Sequence, residues 1–193
     1  MKHLFLIAIL ITSTISLAQT NTKFGIKGGL NYNANGKYFE SANDSYENPD
    51  RNIGYHLGVF GKFGDSFYFR PELVYTATKS DYDSGEFDMK KLDAPILVGF
   101  QVLGPFSVFG GPSFQYILDS EFGNVSIDKI KNDFSVGLNF GIALNFENFG
   151  IDLRYERGFS NNEATFLNNN GIMINDRLDT RPDQLIACLF IFL

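Results

Sequence analysis

Charged residues alternate with apolar ones in two short stretches, FRPELVY (69–75) and IDLRYERG (151–158). Arg70 and Glu72 share one parity, and so do Asp152, Arg154 and Glu156. On an extended strand residues of one parity point to one face. An isolated charge is expensive to remove from water, so inward-facing charges need partners. Glu72 and Arg154 each stand five positions beyond the first residue of their strand, Phe67 or Phe149, which places them at similar depth. Arg70 and Asp152 pair one layer nearer the strand starts. Asp93, Lys27, Lys62, Asn139 and Gln101 lie where they would extend the set. Such a ladder has two chemical uses. It can form a polar pathway or proton relay, or it can be a plug of paired charges filling a space too narrow to conduct; the plug is the expectation.

Three other groups are candidates for chemistry. His56 shares its strand face with Lys62, and a hydrolase would need it beside a serine and an acid such as Ser113, Glu86 or Asp93. No spacing motif supports that arrangement. Asp81, Asp83, Glu86 and Asp88, with Gly85 for a turn, place acidic oxygens as a calcium loop would. They lack the flanking helices and the twelfth-position Glu, so a solvated acidic loop is expected. Cys188 is the only cysteine, which excludes an internal disulfide. No metal site, cofactor or catalytic group is expected.

The elements that must hold these residues are strands. In DFSVGLNFGIALNF (133–146), Phe134, Val136, Leu138, Phe140, Ile142, Leu144 and Phe146 fall on one parity and small or polar residues on the other. The run is longer than the roughly 5–6 residues of an ordinary strand and fits the 9–11 that cross a bilayer. Seven further segments repeat the pattern: 24–33, 53–63, 67–77, 89–101, 106–118, 149–160 and 182–193. Pro71 inside the third cannot donate to a ladder and predicts a bulge or a missing bond. Connections alternate between long polar loops (34–52, 78–88, 119–132, 161–181) and short turns at 64–66, 102–105 and 147–148. That asymmetry is typical of an up-and-down barrel in an outer membrane. Aromatics on the apolar parity sort by height. Tyr32, Tyr55, Tyr75 and Tyr116 stand near the long loops; Phe63, Phe67, Phe100, Phe106, Phe146 and Phe149 stand near the short turns. Two aromatic belts suit two membrane interfaces.

The chain has 193 residues, enough for one domain, with 21 Phe, 9 Tyr and no Trp. Its net charge of −6 argues against a nucleic-acid partner. Residues 1–18 read as a secretory signal peptide: a short basic start at Lys2, an apolar run Leu4 to Ile11, and Ser16-Leu17-Ala18 before the cut. The barrel domain is then 19–193. Alternation alone leaves two arrangements open. A soluble exported barrel would turn its apolar face inward around a small apolar ligand. A membrane barrel turns it outward. The Gly, Ala, Ser and Asn of the other face suit a narrow lumen and favour the second.

With FGIKGGLN (24–31), FRPELVY (69–75), LDAPILVGF (92–100), FGGPSF (109–114) and DLRYERGFS (152–160), the chain resembles the small outer-membrane β-barrel proteins of Gram-negative bacteria, of the PorT-like domain type. Such barrels usually end in an aromatic residue that assembly machinery reads; here Leu193 follows Phe192. The resemblance implies an all-β, eight-stranded antiparallel barrel located in the outer membrane. It implies outer-membrane lipid and the assembly machinery as partners, and an unidentified envelope or extracellular partner for the loops. A monomer with a structural or surface-interaction role is expected, rather than an enzyme; a lipid hydrolase using His56 is the remaining alternative.

Overall fold

A computed structural model describes residues 21–34, 38–40, 45–47, 50–82, 85–122, 125–126, 134–159, 163–165, 177–179 and 183–193. Eight long strands make the wall: β1 (Thr22–Ala34), β2 (Asp50–Phe63), β3 (Phe67–Tyr82), β4 (Gly85–Leu103), β5 (Phe106–Phe122), β6 (Phe134–Asn145), β7 (Phe149–Gly158) and β8 (Asp183–Phe192). Each pairs antiparallel with its neighbour in sequence, and β1 pairs with β8, so the sheet closes into a barrel without an edge. Closure satisfies the backbone that hydrocarbon could not hydrate. The proposed signal peptide, 1–18, lies outside the described residues.

The short turns are where the sequence puts them. Gly64 has φ 103° and Gly104 has φ 54°, left-handed conformations that glycine adopts without a Cβ clash. Phe146 and Phe149 close the third turn through a backbone bond of 2.8 Å, and their rings stack at 4.8 Å.

Three of the long loops differ from expectation. The 78–88 segment is not a loop: β3 runs to Tyr82 and β4 starts at Gly85, paired Tyr82↔Gly85 and Asp81↔Glu86. Strand pairing continues above the hydrophobic band because nothing in Thr76 to Tyr82 interrupts it. The polar stretches 34–52 and 161–181 supply four short strands, Tyr38–Glu40, Ser45–Glu47, Glu163–Thr165 and Arg177–Asp179, which pair into a separate small sheet. The first and last long connections are therefore joined to each other. At Pro71 the expected irregularity is a missing bond and not a bulge: the register is kept on both sides of it while paired residues are missing beside it.

The two faces settle which side is inward. Phe134, Leu138, Phe140, Ile142 and Leu144 of β6 are exposed, as are Ile151 and Leu153 of β7 and Leu185, Leu189 and Ile191 of β8. Among the largest fully buried side chains are Arg70, Lys91, Gln115, Gln184, Glu156 and Asn31. The protein is polar inside and apolar outside. An apolar surface that wraps the whole wall far exceeds what a water-soluble monomer exposes, so the soluble apolar-ligand barrel is excluded. Leu153 lies mid-wall between Ile142 and Ala187 and is exposed. Leu153→Arg is expected to lower barrel stability in phospholipid vesicles by about 2–4 kcal/mol, the cost of a cation at the bilayer midplane. Reversible urea unfolding measures it, and an unchanged midpoint would mean that water covers this face.

Candidate functional site

The lumen is the candidate site, and its side chains come from every strand. Its lower cluster sits toward the short turns. Arg70 and Glu72 project from β3 and meet Asp152 and Arg154 of β7. Arg154 Nη1 approaches Glu72 Oε2 at 3.0 Å, and Arg70 Nη2 donates to Asp152 Oδ2 at 3.1 Å. The two pairs reasoned from strand depth are thus brought together. Arg154 also binds Asp152 of its own strand through Nε at 2.9 Å and Nη2 at 2.8 Å. Arg70 Nε lies 2.9 Å from Glu72 Oε1, and Lys27 of β1 adds its Nζ to Glu72 Oε2 at 2.6 Å.

The upper cluster is centred on Glu156. Lys91 Nζ lies 3.3 Å from Glu156 Oε1 and 3.3 Å from Asp93 Oδ1. Gln115 and Gln184 donate to Glu156 Oε1 and Asn139 to Oε2, at 2.5, 2.6 and 2.8 Å. Thr76 donates to Asp93 Oδ2 at 2.7 Å. Four cations (Lys27, Arg70, Lys91, Arg154) face four carboxylates (Glu72, Asp93, Asp152, Glu156), all buried. The set is electrically balanced, as a low-dielectric interior requires. Between the clusters lies a cavity of about 20 Å³ lined by Lys27, His56, Thr76, Asp93, Arg154 and Glu156 among others. That is room for about one water molecule.

Below the charges the lumen is apolar. Tyr68, Leu97, Phe109 and Ala143 form a buried cluster. Phe60 and Phe190 meet edge to face at 5.5 Å. The Arg70 guanidinium sits 4.7 Å from the Phe109 ring centre and 5.5 Å from that of Phe190, and Arg154 sits 5.2 Å from Phe109. The charged knot therefore rests on an aromatic floor that it contacts by cation–π geometry.

Several expected members stand elsewhere. Lys62 lies over the Tyr68 ring at 4.6 Å rather than in the knot. Gln101 is exposed beside the turn, at the end of the regular β4–β5 register, and donates to the Gly104 carbonyl. Lys91, Gln115, Gln184 and Asn31 were not singled out from the sequence, although each lies on a lumen-facing parity. Ile186, Cys188 and Phe190 make the inner side of β8 apolar; Phe190 belongs to the floor, while Ile186 lines the cavity.

His56 does not join a catalytic set. It is buried in the lumen, and its Nδ1 donates to Asn31 Oδ1 at 2.6 Å. Its Nε2 makes no hydrogen bond among the described residues, and neither does Ser113 Oγ. The Glu86 side chain lies outside the described residues. In the acidic stretch, Asp83 and the side chains of 81–87 also lie outside them; Asp88 is half-buried and pairs with Lys79 at 3.2 Å. Among the described residues no three His, Cys, Asp or Glu side chains are grouped to hold a metal ion.

The aromatic residues of the two proposed belts line the outer surface. Tyr32, Tyr55, Tyr75 and Tyr116 are exposed toward the long-loop end. Phe67, Phe100, Phe146 and Phe149 are exposed toward the short turns, where Phe63 and Phe106 are half-buried.

The family model described as outer membrane protein beta-barrel domain matches residues 17–163. Among solved structures, Neisserial surface protein A is 14% identical, covers 90% of this chain and 99% of its own, and has a TM-score of 0.59. The outer membrane protein OprG from Pseudomonas aeruginosa is 12% identical over 90% of this chain and 97% of its own, with a TM-score of 0.61. Ail, the attachment invasion locus protein of Yersinia pestis, solved with the heparin analogue sucrose octasulfate, is 15% identical over 89% of this chain and 100% of its own, at 0.50. At these identities the likeness is one of fold. No curated protein matches the chain in sequence.

Proposed function

This chain belongs to the outer membrane protein beta-barrel domain family and resides in the outer membrane, and from that premise we propose that it is a closed, monomeric membrane scaffold whose work is done by what it holds outside the bilayer. The observation that carries this reading is the filled lumen. Eight buried charges neutralise one another, an aromatic floor lies beneath them, and the cavity between the clusters accommodates about one water. Barrels that conduct solutes freely have about 16–18 strands.

The parts left to meet a partner are the β3–β4 hairpin above Tyr75 and the small sheet that joins the first and last long connections. An extracellular or envelope protein is the partner class proposed, with a structural or adhesive rather than catalytic role. The assembly machinery that folds outer-membrane barrels inserts it, and lipid covers the wall. The PorT-like assignment rests on FRPELVY and its companion motifs.

Planar-bilayer recording tests the closed lumen. The purified protein is expected to insert without stepwise conductance, and a reproducible single-channel step would overturn the reading. Shortening the hairpin by replacing residues 80–87 with Asn-Gly tests the other half. The barrel should still migrate anomalously unless boiled, while photo-crosslinks formed in native membranes from position 79 disappear. Unchanged crosslinks would place the partner elsewhere.

A further inference from the structure

Three consecutive strands carry a proline within the wall: Pro71 on β3, Pro95 on β4 and Pro112 on β5. Each coincides with a gap in the ladder to the preceding strand. Between β2 and β3, pairing passes from Phe60↔Glu72 to Phe63↔Phe69, so Gly61 opposite Pro71 is unpaired. Between β3 and β4 it passes from Pro71↔Ile96 to Val74↔Asp93, which omits Glu72 opposite Pro95. Between β4 and β5 it passes from Pro95↔Ser113 to Val98↔Gly110, which omits Ile96 opposite Pro112. The register is unchanged across every gap, so the cause is the missing proline N–H.

The three defects adjoin. Pro71 precedes Glu72, Glu72 faces Pro95, Pro95 precedes Ile96, and Ile96 faces Pro112. A row of absent rungs crosses half of the wall at one level. The register shifts of the barrel fall in the β2–β3 and β4–β5 ladders too, whereas the ladders β5–β6, β6–β7, β7–β8, β8–β1 and β1–β2 are unbroken.

Four of the lumenal contacts run from the interrupted strands to an intact one, while Lys27 of β1, Asn139 of β6 and Gln184 of β8 join the same carboxylates from unbroken strands. Arg70 and Glu72 flank Pro71 and bind Asp152 and Arg154. Lys91 of β4 and Gln115 of β5 bind Glu156. All three receiving residues, Asp152, Arg154 and Glu156, are on β7. We propose that this β7 triad is an internal strut for a compliant half-wall: it substitutes cross-lumen bonds for the rungs that the prolines remove. The closed lumen thereby has one defined side, β2 to β5, on which it yields when the strut is cut.

Amide exchange in nanodiscs tests this, with Arg154→Met as the cut strut and Pro71→Val/Pro95→Val/Pro112→Val as the repaired wall. Arg154→Met should speed exchange in β2–β5 about tenfold relative to β6–β8 and β1, the signature of sub-global opening. In the repaired wall the same substitution should act evenly around the barrel. Even acceleration in the native wall, or unchanged selectivity in the repaired one, would overturn the proposal. If Arg154→Met does not fold, the repaired wall alone decides. It should slow exchange in β2–β5 and leave the other strands unchanged, and equal exchange with and without the prolines would overturn the strut.

Discussion

Glu72→Ala is expected to lower the unfolding free energy of the barrel by about 3–5 kcal/mol, as for other buried ion pairs broken on one side. Glu72 is the point on which three cations converge: Lys27 at 2.6 Å, Arg70 at 2.9 Å and Arg154 at 3.0 Å. Without it, three buried positive charges share Asp152. Bulk solvent does not reach them, because the aromatic floor lies below and the upper cluster above; the cavity between the clusters has room for about one water. Urea unfolding in vesicles, followed by loss of strand signal, gives the value. Adding Arg154→Met should restore part of the loss, since it removes one of the stranded cations, and the cycle then yields a favourable coupling energy. Glu72→Gln keeps an acceptor but removes the charge, and should fall between wild type and Glu72→Ala. A wild-type midpoint for Glu72→Ala would show that the lumen is hydrated and the knot energetically idle.

That pair was legible before any coordinates because two regularities fix it. Strand parity decides which residues face inward, and counting from the short turns gives their depth. Both hold wherever a strand is regular, which is why Arg70 meets Asp152 and Glu72 meets Arg154. They fail where it is not. Gln101 keeps register with Ser107, but it is the last regular pair before the turn, so it is exposed at the end of the barrel and cannot reach the charges. Lys91 lies outside the expected set because a strand beginning at Met89 has position 91 near its entrance, whereas β4 begins at Gly85 and makes it interior. The extension of β3 and β4 to Tyr82 and from Gly85 has no hydrophobic signature, because its residues are mostly polar, charged or glycine. The small sheet between the first and last connections is long-range in sequence, and polar alternation over three residues does not announce it.

The aromatic floor was missed for a different reason. Phe60, Tyr68, Phe109 and Phe190 all lie on inward parities, where no charge or strict alternation marks them. Their signal in the sequence is a paired one. Every large inward ring needs a position without a side chain beside it, and the glycines at 25, 99 and 150 supply those positions for Phe60, Tyr68 and Phe190. Inward glycines opposite inward aromatics are therefore readable as ring and recess, which separates a plugged lumen from a hollow one.

Gly99→Val is the severest test of that reading. A Cβ at position 99 would coincide with the Tyr68 ring, which occupies the space the glycine leaves. Tyr68 is 1% exposed and is packed with Leu97, Phe109 and Ala143, so the ring has nowhere apolar to go. Overpacking of this kind usually costs about 1–3 kcal/mol. Here the cost is expected at or above the top of that range, because moving Tyr68 also removes the ring beneath Lys62 and disturbs Phe109 under Arg70. Tyr68→Ala alone empties the recess and is expected to cost about 3–5 kcal/mol, as other large aromatic truncations in packed interiors do. The double variant decides between a specific ring-in-recess fit and a general intolerance of the floor to change. With the ring gone, the valine has space, so Gly99→Val/Tyr68→Ala should be more stable than the sum of the two losses predicts. Simple additivity in the same unfolding assay would mean that the ring and the glycine do not share that space, and that the lumen near the short turns is open rather than filled.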